Sequence, residues 1–369
     1  MNFKNELIIF IPSIEDGGVE KNLYLITNYL SKKIKNISLI TTDVSRKKKF
    51  NNKINYITPN SYYWEKKSRR FKTLICLILL IKKIFCNKKI LILSFQANIY
   101  ALIIAKLFKI KIIVRSNTAP QGWNRNFFKK IIFKFFYKKA DLIIVNSENF
   151  KQQMKKELNV NSKCIYNPLD RHVINKKSKE KIKINFYKKN TLNLINVGRL
   201  TKQKDQLTIL KAINLIKHKI NLRLLIIGKG SEYNSLNEYI KKNYLNKIVK
   251  CIGYKKNPYP YIKKSDIFIL SSLYEGLPNV LLEAVYLKKF IISSDCPTGP
   301  REILNNGKGG ILFKIRDHRQ LSRKIKEFCA NKSKYNKKTI YAYKQLDRFN
   351  LRKNLKKYEI LVNNQLFKK

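Results

Sequence analysis

Short, uninterrupted apolar segments alternate with helix-patterned segments along most of this sequence, and that alternation is what most limits its fold. The segments in the first half are LIIFIP (7–12), ISLITT (37–42), ILILS (90–94), KIIVRS (111–116) and LIIVNS (142–147). A strand that is apolar throughout must be covered on both faces, as happens in a parallel sheet flanked by helices. The first half is therefore predicted to be a doubly wound α/β domain.

The same alternation restarts in the second half, after a lysine-rich stretch at 171–190 that is predicted to be a linker. Its apolar segments are LNLINVG (192–198), LRLLIIG (222–228), IVKCIG (248–253), DIFILSS (266–272) and FIISSD (290–295). We predict two Rossmann-like domains, 1–170 and 191–335, that face each other across a cleft. Residues 336–369 are predicted to form a helical tail that packs back across both domains. A chain of 369 residues is long enough to give each domain its own core.

Lysine and arginine number 79 against 23 acidic residues, so the formal net charge is +56. Such a surface attracts nucleic acid, anionic lipid or phosphorylated substrates. The same composition, rich in Lys, Asn, Ile, Phe and Tyr together, is also what AT-rich codons would give. The net charge therefore indicates that a partner would be negatively charged, but it does not identify that partner.

Cysteine spacing and apolar run length argue against several other classes. The six cysteines are scattered, without a Cys-x-x-Cys pair or a histidine at ligand spacing, which disfavours a zinc site or a disulfide framework and suits a reducing cytosol. Asn2, Lys4 and Glu6 interrupt the first apolar run, so no signal peptide is expected. The longest run, Leu74 to Ile81, is far shorter than the ~20 residues of a membrane span. Any membrane contact is therefore predicted to be peripheral.

Two glutamates stand at one predicted strand-to-helix junction, in SSLYEGLPNVLLEAV (271–285). Glu275 lies in the loop, whereas Glu283 lies about 7.5 Å along a helix whose first residue is predicted to be Pro278. The backbone N–H groups between them suit a phosphate, so the segment matches a sugar, a diphosphate and a ribose in turn. The alternative is a solvated Glu283 with Glu275 merely favouring the positive end of the helix.

Basic residues and a pair of glycines also lie directly after predicted strands, at the carboxyl edge of each predicted sheet. In NVGRLTKQKDQL (196–207), Arg199 and Lys204 could together neutralise a diphosphate. In IPSIEDGGVEKNL (11–23), Gly17 and Gly18 allow close approach of backbone to a phosphate or sugar. That loop matches neither the dinucleotide nor the P-loop pattern, and on its own it would more often be a tight turn.

The motifs GGVE, GRLTKQKD, EGLPNVLLE and SSDCPTGPREIL occur in an order that resembles the GT4 family of retaining glycosyltransferases, which have the two-domain GT-B fold. The segments DLIIVNSE (141–148) and IYNPLD (165–170) resemble that family too. The likeness is greatest to bacterial members that build lipid-linked oligosaccharide or surface polysaccharide.

The resemblance implies a role for each candidate residue. Arg199 and Lys204 would hold the donor diphosphate, Glu283 would bind the ribose hydroxyls, and Glu275 would contact the transferred sugar beside its anomeric carbon. The further donor-binding candidates are Gly17, Gly18, Gly276, Pro278, Asn279, Val280 and Tyr254. Tyr254 would lie near the base, although a packed core tyrosine is an equal alternative. No metal and no other cofactor is expected.

One position departs from the family pattern. Many members carry a histidine after the strand that corresponds to KIIVRSNTAP, where this sequence has Asn117. A contact of that histidine with the sugar would pass to Asn117 or Ser116, or be absent.

Two predicted helices combine basic and apolar residues. In WNRNFFKKIIFKFFYKK (123–139), Ile131 and Phe135 recur at helical spacing while Phe133 and Tyr137 fall among lysines. This mixture predicts a helix at the headgroup boundary of an anionic membrane. The segment RRFKTLICLILLIKKIF (69–85) has a similar layout, but a buried crossover helix is its favoured interpretation.

The family resemblance, taken together with these features, implies a retaining, metal-independent hexosyl- or N-acetylhexosaminyltransferase. It would use a UDP-sugar donor and a membrane-linked saccharide acceptor, such as a lipid-linked oligosaccharide, lipopolysaccharide or capsule precursor. It would be cytoplasmic and peripheral on the inner face of the cell membrane, with no specific nucleic acid partner. The alternatives are a basic nucleic-acid-binding protein, or an epimerase or phosphorylase on the same fold.

Overall fold

The computed structural model describes residues 5–15, 17–59, 61–117, 127–182 and 185–367, without the side chains of 127–129. The chain divides into two compact units. Unit 1 contains Met1–Pro168 and Leu351–Lys369, and unit 2 contains Leu169–Asn350.

The sheet of unit 1 is parallel throughout and has the strand order β3-β2-β1-β4-β5-β6-β7. Its strands are β1 (Glu6–Phe10), β2 (Ile37–Ile40), β3 (Asn55–Ile57), β4 (Ile90–Ser94), β5 (Lys111–Arg115), β6 (Leu142–Val145) and β7 (Lys163–Cys164). Alternate residues of β1 serve opposite faces: Leu7 and Ile9 pack in one core, Ile8 and Phe10 in the other. This two-sided burial confirms the predicted doubly wound α/β architecture.

Helices cover both faces of this sheet. They are α1 (Gly18–Leu30), α2 (Arg69–Cys86), α3 (Asn98–Leu107), α4 (Phe127–Tyr137), α5 (Glu148–Leu158) and, after unit 2, α14 (Leu351–Leu366). Helices α1 and α14 pack on one face, whereas α2 to α5 pack on the other.

Helix α14 is bound into unit 1 by polar contacts as well as by its apolar side. The buried Arg115 donates from Nε to the hydroxyl of Tyr358, 2.8 Å away. On α1, the Tyr29 hydroxyl donates to Glu359 Oε2 at 2.6 Å, and Lys356 Nζ donates to Glu359 Oε1 at 2.7 Å. These two bonds, that of Lys356 first, hold the pKa of Glu359 below its ordinary value. The bond to Glu359 in turn raises the pKa of Tyr29 to about 12.

Unit 2 repeats the architecture with a parallel sheet in the order β10-β9-β8-β11-β12-β13. Its strands are β8 (Leu192–Val197), β9 (Leu222–Ile227), β10 (Val249–Cys251), β11 (Ile267–Leu270), β12 (Phe290–Ser294) and β13 (Ile311–Phe313). Its helices are α6 (Arg171–Ser178), α7 (Gln206–Ile216), α8 (Tyr233–Lys242), α9 (Tyr259–Lys263), α10 (Asn279–Tyr286), α11 (Pro300–Ile303), α12 (His318–Ala330) and α13 (Lys332–Lys344).

The regions predicted as linker and tail contain helices that belong to one unit each. Within 171–190 lies α6, whose N-cap Asp170 accepts from the Val173 N–H at 3.0 Å and which buries Ile174. Helix α13 belongs to unit 2 and α14 to unit 1.

Helices α2 and α4 each bury one side in unit 1 and leave apolar side chains exposed on another side. On α2 the stripe Cys76, Leu80 and Ile84 is buried, but Phe71 and Leu74 are exposed on the outside. The interpretation of α2 as a crossover helix packed on the sheet is confirmed, but the helix also has an exposed apolar outer face.

On α4, Tyr137 is buried, while Ile131 and Phe135 are exposed. The start of its predicted segment, 123–126, lies outside the described residues. Within the described ranges, no helix has both the length and the apolar character needed to cross a bilayer.

Candidate active site

Two loops at the carboxyl edge of the unit 2 sheet are joined by hydrogen bonds. The loop after β8 holds residues 198–205, and the loop after the neighbouring strand β11 holds 271–278. The Ser271 hydroxyl donates to the carbonyl oxygen of Lys204 at 2.8 Å, and the Leu273 N–H donates to that of Gln203 at 2.8 Å. Since the carboxyl ends of parallel strands are where α/β sheets bind ligands, these loops form the candidate site.

An ion pair between Lys204 and Glu275 lies at the junction of the two loops. Lys204 Nζ donates to Glu275 Oε1, and the two side chains are only 15% and 8% exposed. A backbone bond also anchors Glu275, because the Thr298 hydroxyl donates to its carbonyl oxygen. A carboxylate and an ammonium are thus held together where water has little access.

Glu283 is held separately, within α10. Its side chain is 3% exposed, and the hydroxyl of the buried Tyr259 donates to its Oε1 at 3.3 Å. Pro278 is the N-cap of α10 rather than its first residue, so the predicted helix start is wrong by one position. Its φ of −71° and ψ of 108° place it in the extended region, and the helix begins at Asn279, followed by Val280.

Glycines allow the site loops to approach neighbouring backbone closely. Gly299 has a φ of +83°, and a Cβ there would lie 2.3 Å from the carbonyl oxygen of Gly276. A Cβ at Gly228 would lie 1.8 Å from the carbonyl oxygen of Gly198, and one at Gly230 would lie 2.1 Å from that of Leu200. Side chains at these positions would displace the loops that carry Glu275 and Arg199.

Arg199 and Tyr254 lie at the exposed side of this edge. Arg199 is exposed, and its backbone is held by Gln206, whose Nε2 donates to the Arg199 carbonyl oxygen at 3.0 Å. Tyr254 is 42% exposed, which excludes the alternative of a packed core tyrosine. The Nζ of Lys229 lies 5.2 Å from the centre of its ring.

Cys296 is buried in the loop after β12, and its Sγ donates to the Thr298 carbonyl oxygen at 3.7 Å. Burial, and then the charge of Glu275, raise the pKa of this thiol above its ordinary value. It is therefore protonated near neutral pH and is no nucleophile. In the part of the chain that the structure describes, no three His, Cys, Asp or Glu residues cluster as a metal site would require.

The remaining candidates belong to unit 1. Gly17 is the N-cap of α1 with an extended backbone (φ −151°), and Gly18 is the first residue of that helix. Asn117 is half-buried and donates from Nδ2 to the Phe95 carbonyl oxygen at 2.9 Å, next to the buried Ser116.

The structure brings Lys204 and Glu275 into contact and places Arg199 on the loop of Lys204. Sequence reasoning missed Tyr259, Thr298 and Gly299. The last two lie inside the SSDCPTGPREIL motif, which was an available signal, whereas the contact of Tyr259 with α10 crosses between elements and has no local pattern.

Comparison with known proteins gives two family matches. The model described as Glycosyltransferase Family 4 matches residues 16–173, and the one described as Glycosyl transferases group 1 matches residues 177–345.

Among curated relatives, an uncharacterised glycosyltransferase of Methanocaldococcus jannaschii is 36% identical over 217 residues, which are 55% of this chain and 53% of that protein. The chain thus spans about half the length of this relative. A second relative is N-acetylgalactosamine-N,N'-diacetylbacillosaminyl-diphospho-undecaprenol 4-alpha-N-acetylgalactosaminyltransferase of Campylobacter jejuni. It is 27% identical over 377 residues, which cover 96% of this chain and 99% of that protein.

Solved structures share the fold at low identity. HepE of Anabaena in complex with UDP and glucose superimposes with a TM-score of 0.80 at 15% identity, covering 98% of this chain and 100% of that one. Sucrose-phosphate synthase of Thermosynechococcus elongatus gives a TM-score of 0.81 at 14% identity, covering 98% and 99%. The GT-B fold that the sequence predicts is confirmed by these likenesses.

Proposed function

The chain belongs to the family 4 glycosyltransferases, and we propose that it moves a hexose or N-acetylhexosamine from a UDP-sugar to a membrane-linked saccharide with retention of anomeric configuration. The observation that carries this proposal is the enclosed Lys204–Glu275 pair at the carboxyl edge of the unit 2 sheet. UDP as the donor nucleotide is supported by its presence in HepE. A lipid-linked acceptor is supported by the substrate named for the Campylobacter relative.

The cations of the loop after β8 stabilise the leaving group. A diphosphate brings more negative charge than one carboxylate, so Lys204 exchanges Glu275 for the phosphate oxygens when the donor binds. Arg199, exposed on the same loop, adds a planar fork for a second phosphate. Groups fixed before the reaction stabilise the charge that develops on UDP without reorganisation. These cations and the N-terminus of α10 do the work that a metal does in other transferases, so no cofactor is required.

Glu275 and Glu283 contact different parts of the donor, the transferred sugar and the ribose. Released from Lys204, Glu275 faces the anomeric carbon and stabilises its growing positive charge. Glu283, oriented by Tyr259, accepts hydrogen bonds from the ribose hydroxyls. The bond from the anomeric carbon to the phosphate oxygen breaks, and the acceptor oxygen bonds to that carbon on the same face. The acceptor proton passes to the leaving phosphate oxygen, so no side chain needs to act as a strong base.

From the family resemblance alone, Gly17 and Gly18 are proposed donor contacts and Asn117 a proposed sugar or acceptor contact. The protein works as a peripheral enzyme on the inner face of the cell membrane, where a lipid-linked acceptor is presented. No specific nucleic acid takes part.

The test is a panel of UDP-sugars assayed with a diphospho-undecaprenol-linked saccharide, with the product anomer determined by NMR. We expect transfer from one or two donors with retention. Glu283→Ala should raise the donor KM, and an unchanged KM would contradict its ribose role. Sugar that is isomerised or phosphorolysed without transfer would favour an epimerase or phosphorylase. Tight, salt-dependent RNA binding without UDP release would favour a nucleic-acid-binding protein.

A further inference from the structure

We infer that the outer faces of α2, α3 and α4 in unit 1 form one docking surface for an anionic lipid bilayer. The inference deepens the proposed function, from which it takes the membrane-linked acceptor, but it stands on its own surface. The sequence predicted membrane contact for the α4 segment and favoured a buried crossover helix for the α2 segment. The structure makes α2 the longest part of the surface.

The outer stripe of α2 is apolar along its whole length. Phe71, Leu74, Ile78 and Phe85 are all exposed, and Phe85 is 68% accessible. At 100° per residue, this stripe lies opposite the buried stripe that includes Cys76, and it extends about 21 Å at 1.5 Å per residue. A helix that packs on its sheet with one apolar side and shows another to solvent has a second partner.

The apolar surface continues across the neighbouring helices of the same layer. The rings of Phe85 and Phe108 meet edge to face at 5.4 Å, which joins the end of α2 to the end of α3. Beside this contact Leu107 is 71% exposed. On α4, Ile131 and Phe135 are exposed.

The charges on these helices identify the partner. No aspartate or glutamate occurs within α2, α3 or α4. Their inward cations are already paired: Lys72 with Asp43 at 2.8 Å and Lys106 with Asp141 at 2.7 Å. Exposed cations such as Lys82 and Lys134 remain beside the apolar stripes.

Aliphatic bulk combined with unopposed positive charge fits a bilayer with anionic headgroups. A nucleic acid would be met by the cations and by stacked aromatic rings. Leucine and isoleucine offer it neither, whereas Leu74, Ile78 and Ile131 can enter the acyl boundary of a lipid layer.

The experiment is flotation of the full-length protein with phosphatidylcholine vesicles, with and without phosphatidylglycerol, over a range of salt. The test variant is F71Q/L74Q/I78Q. The matched control, L215Q/I340Q/I360Q, also removes three exposed apolar side chains, two of them in unit 2 and one on α14. UDP release from the donor without acceptor is measured for each protein, because that reaction needs no membrane.

We expect the wild type and the control to float with anionic vesicles only, and less at high salt. The α2 variant should bind at least about tenfold more weakly while releasing UDP at the wild-type rate. K82Q/K134Q should keep its apolar contact but lose most of the preference for phosphatidylglycerol.

Equal binding by the α2 variant and the wild type would overturn the inference. The inference would also be overturned if the wild type did not float with vesicles and instead dimerised or bound single-stranded RNA, and if the α2 variant lost that dimerisation or RNA binding. Absence of UDP release by the wild type would contradict the proposed function and leave the flotation result to decide the surface separately.

Discussion

Replacing Gly299 by alanine should introduce two unfavourable effects at once: a strained backbone conformation, and a clash between the new Cβ and neighbouring backbone. At Gly299 an alanine would meet both a positive φ of +83° and the carbonyl oxygen of Gly276 at 2.3 Å. Two other glycines isolate these effects. Gly253 has a φ of +70° with nothing within 4 Å of its Cβ, so G253A tests the backbone conformation alone. Gly228 has no positive φ but a Cβ position 1.8 Å from the carbonyl oxygen of Gly198, so G228A tests the clash alone.

The expected free energies follow from these geometries. A left-handed conformation costs an alanine about 1–2 kcal/mol, which is the full effect expected for G253A. Overpacking against backbone costs about 1–3 kcal/mol, and G228A should lie at the top of that range because a carbonyl oxygen cannot rotate away. G299A combines a clash with a strained backbone, because the φ of +83° occurs with a ψ of −74°; the two costs together should be about 2–5 kcal/mol. For a unit of this size the melting temperature should fall by roughly 4–20 °C.

Activity separates the variants further. Real Cβ contacts are longer than 3.0 Å, so G299A must move the Gly276 carbonyl by at least 0.7 Å. Glu275 is the adjacent residue, and a displacement of that size costs about 10²-fold in kcat. G253A should keep its kcat. The assays are thermal and urea unfolding, with UDP release for kcat. If G299A were no less stable and no less active than G253A, the packing of Gly299 on Gly276 would not support the site.

Other predictions concern charged and hydrogen-bonded groups. A double-mutant cycle of K204M and E275Q in urea unfolding should give a coupling of about 1–3 kcal/mol, because both side chains are poorly exposed; independent effects would contradict the pair. Y259F should raise the donor KM by about 2–10-fold without changing kcat, since it removes one long hydrogen bond to Glu283; a lowered kcat with unchanged KM would contradict this positioning role. The pKa of Glu359 is lowered by hydrogen bonds, so its stabilisation is present above the ordinary carboxylate pKa and is lost as the pH falls through the lowered one. E359Q should therefore flatten the acid side of the stability profile of unit 1, and an unchanged profile would exclude that contribution.

The sequence predicted the central strands well because each one is apolar on both faces. It missed β3, β7 and β13, which have two or three residues and occupy sheet positions at or near an edge, where too few side chains are buried to produce a pattern. It did not predict that α2 exposes a second apolar face, because an apolar helix has the same composition whether that face contacts protein or solvent.

The site was predicted to a similar degree. Glu275 and Lys204 come from motifs within loops, so their shared edge followed from strand order. Their direct pairing, and the contact of Tyr259 with Glu283, depend on how loops and helices from distant parts of the chain pack, which no spacing encodes.

Helix α14 completes unit 1 although it follows all of unit 2 in the chain. On a ribosome, residues up to Pro168 emerge with one face of their sheet covered by α1 but not yet by α14, because Tyr358 and Val362 have yet to be made. Arg115 is then a guanidinium without its tyrosine partner on that face. A truncated product ending at residue 168 should accordingly aggregate or require a chaperone, whereas unit 2 is contiguous and should fold when expressed alone.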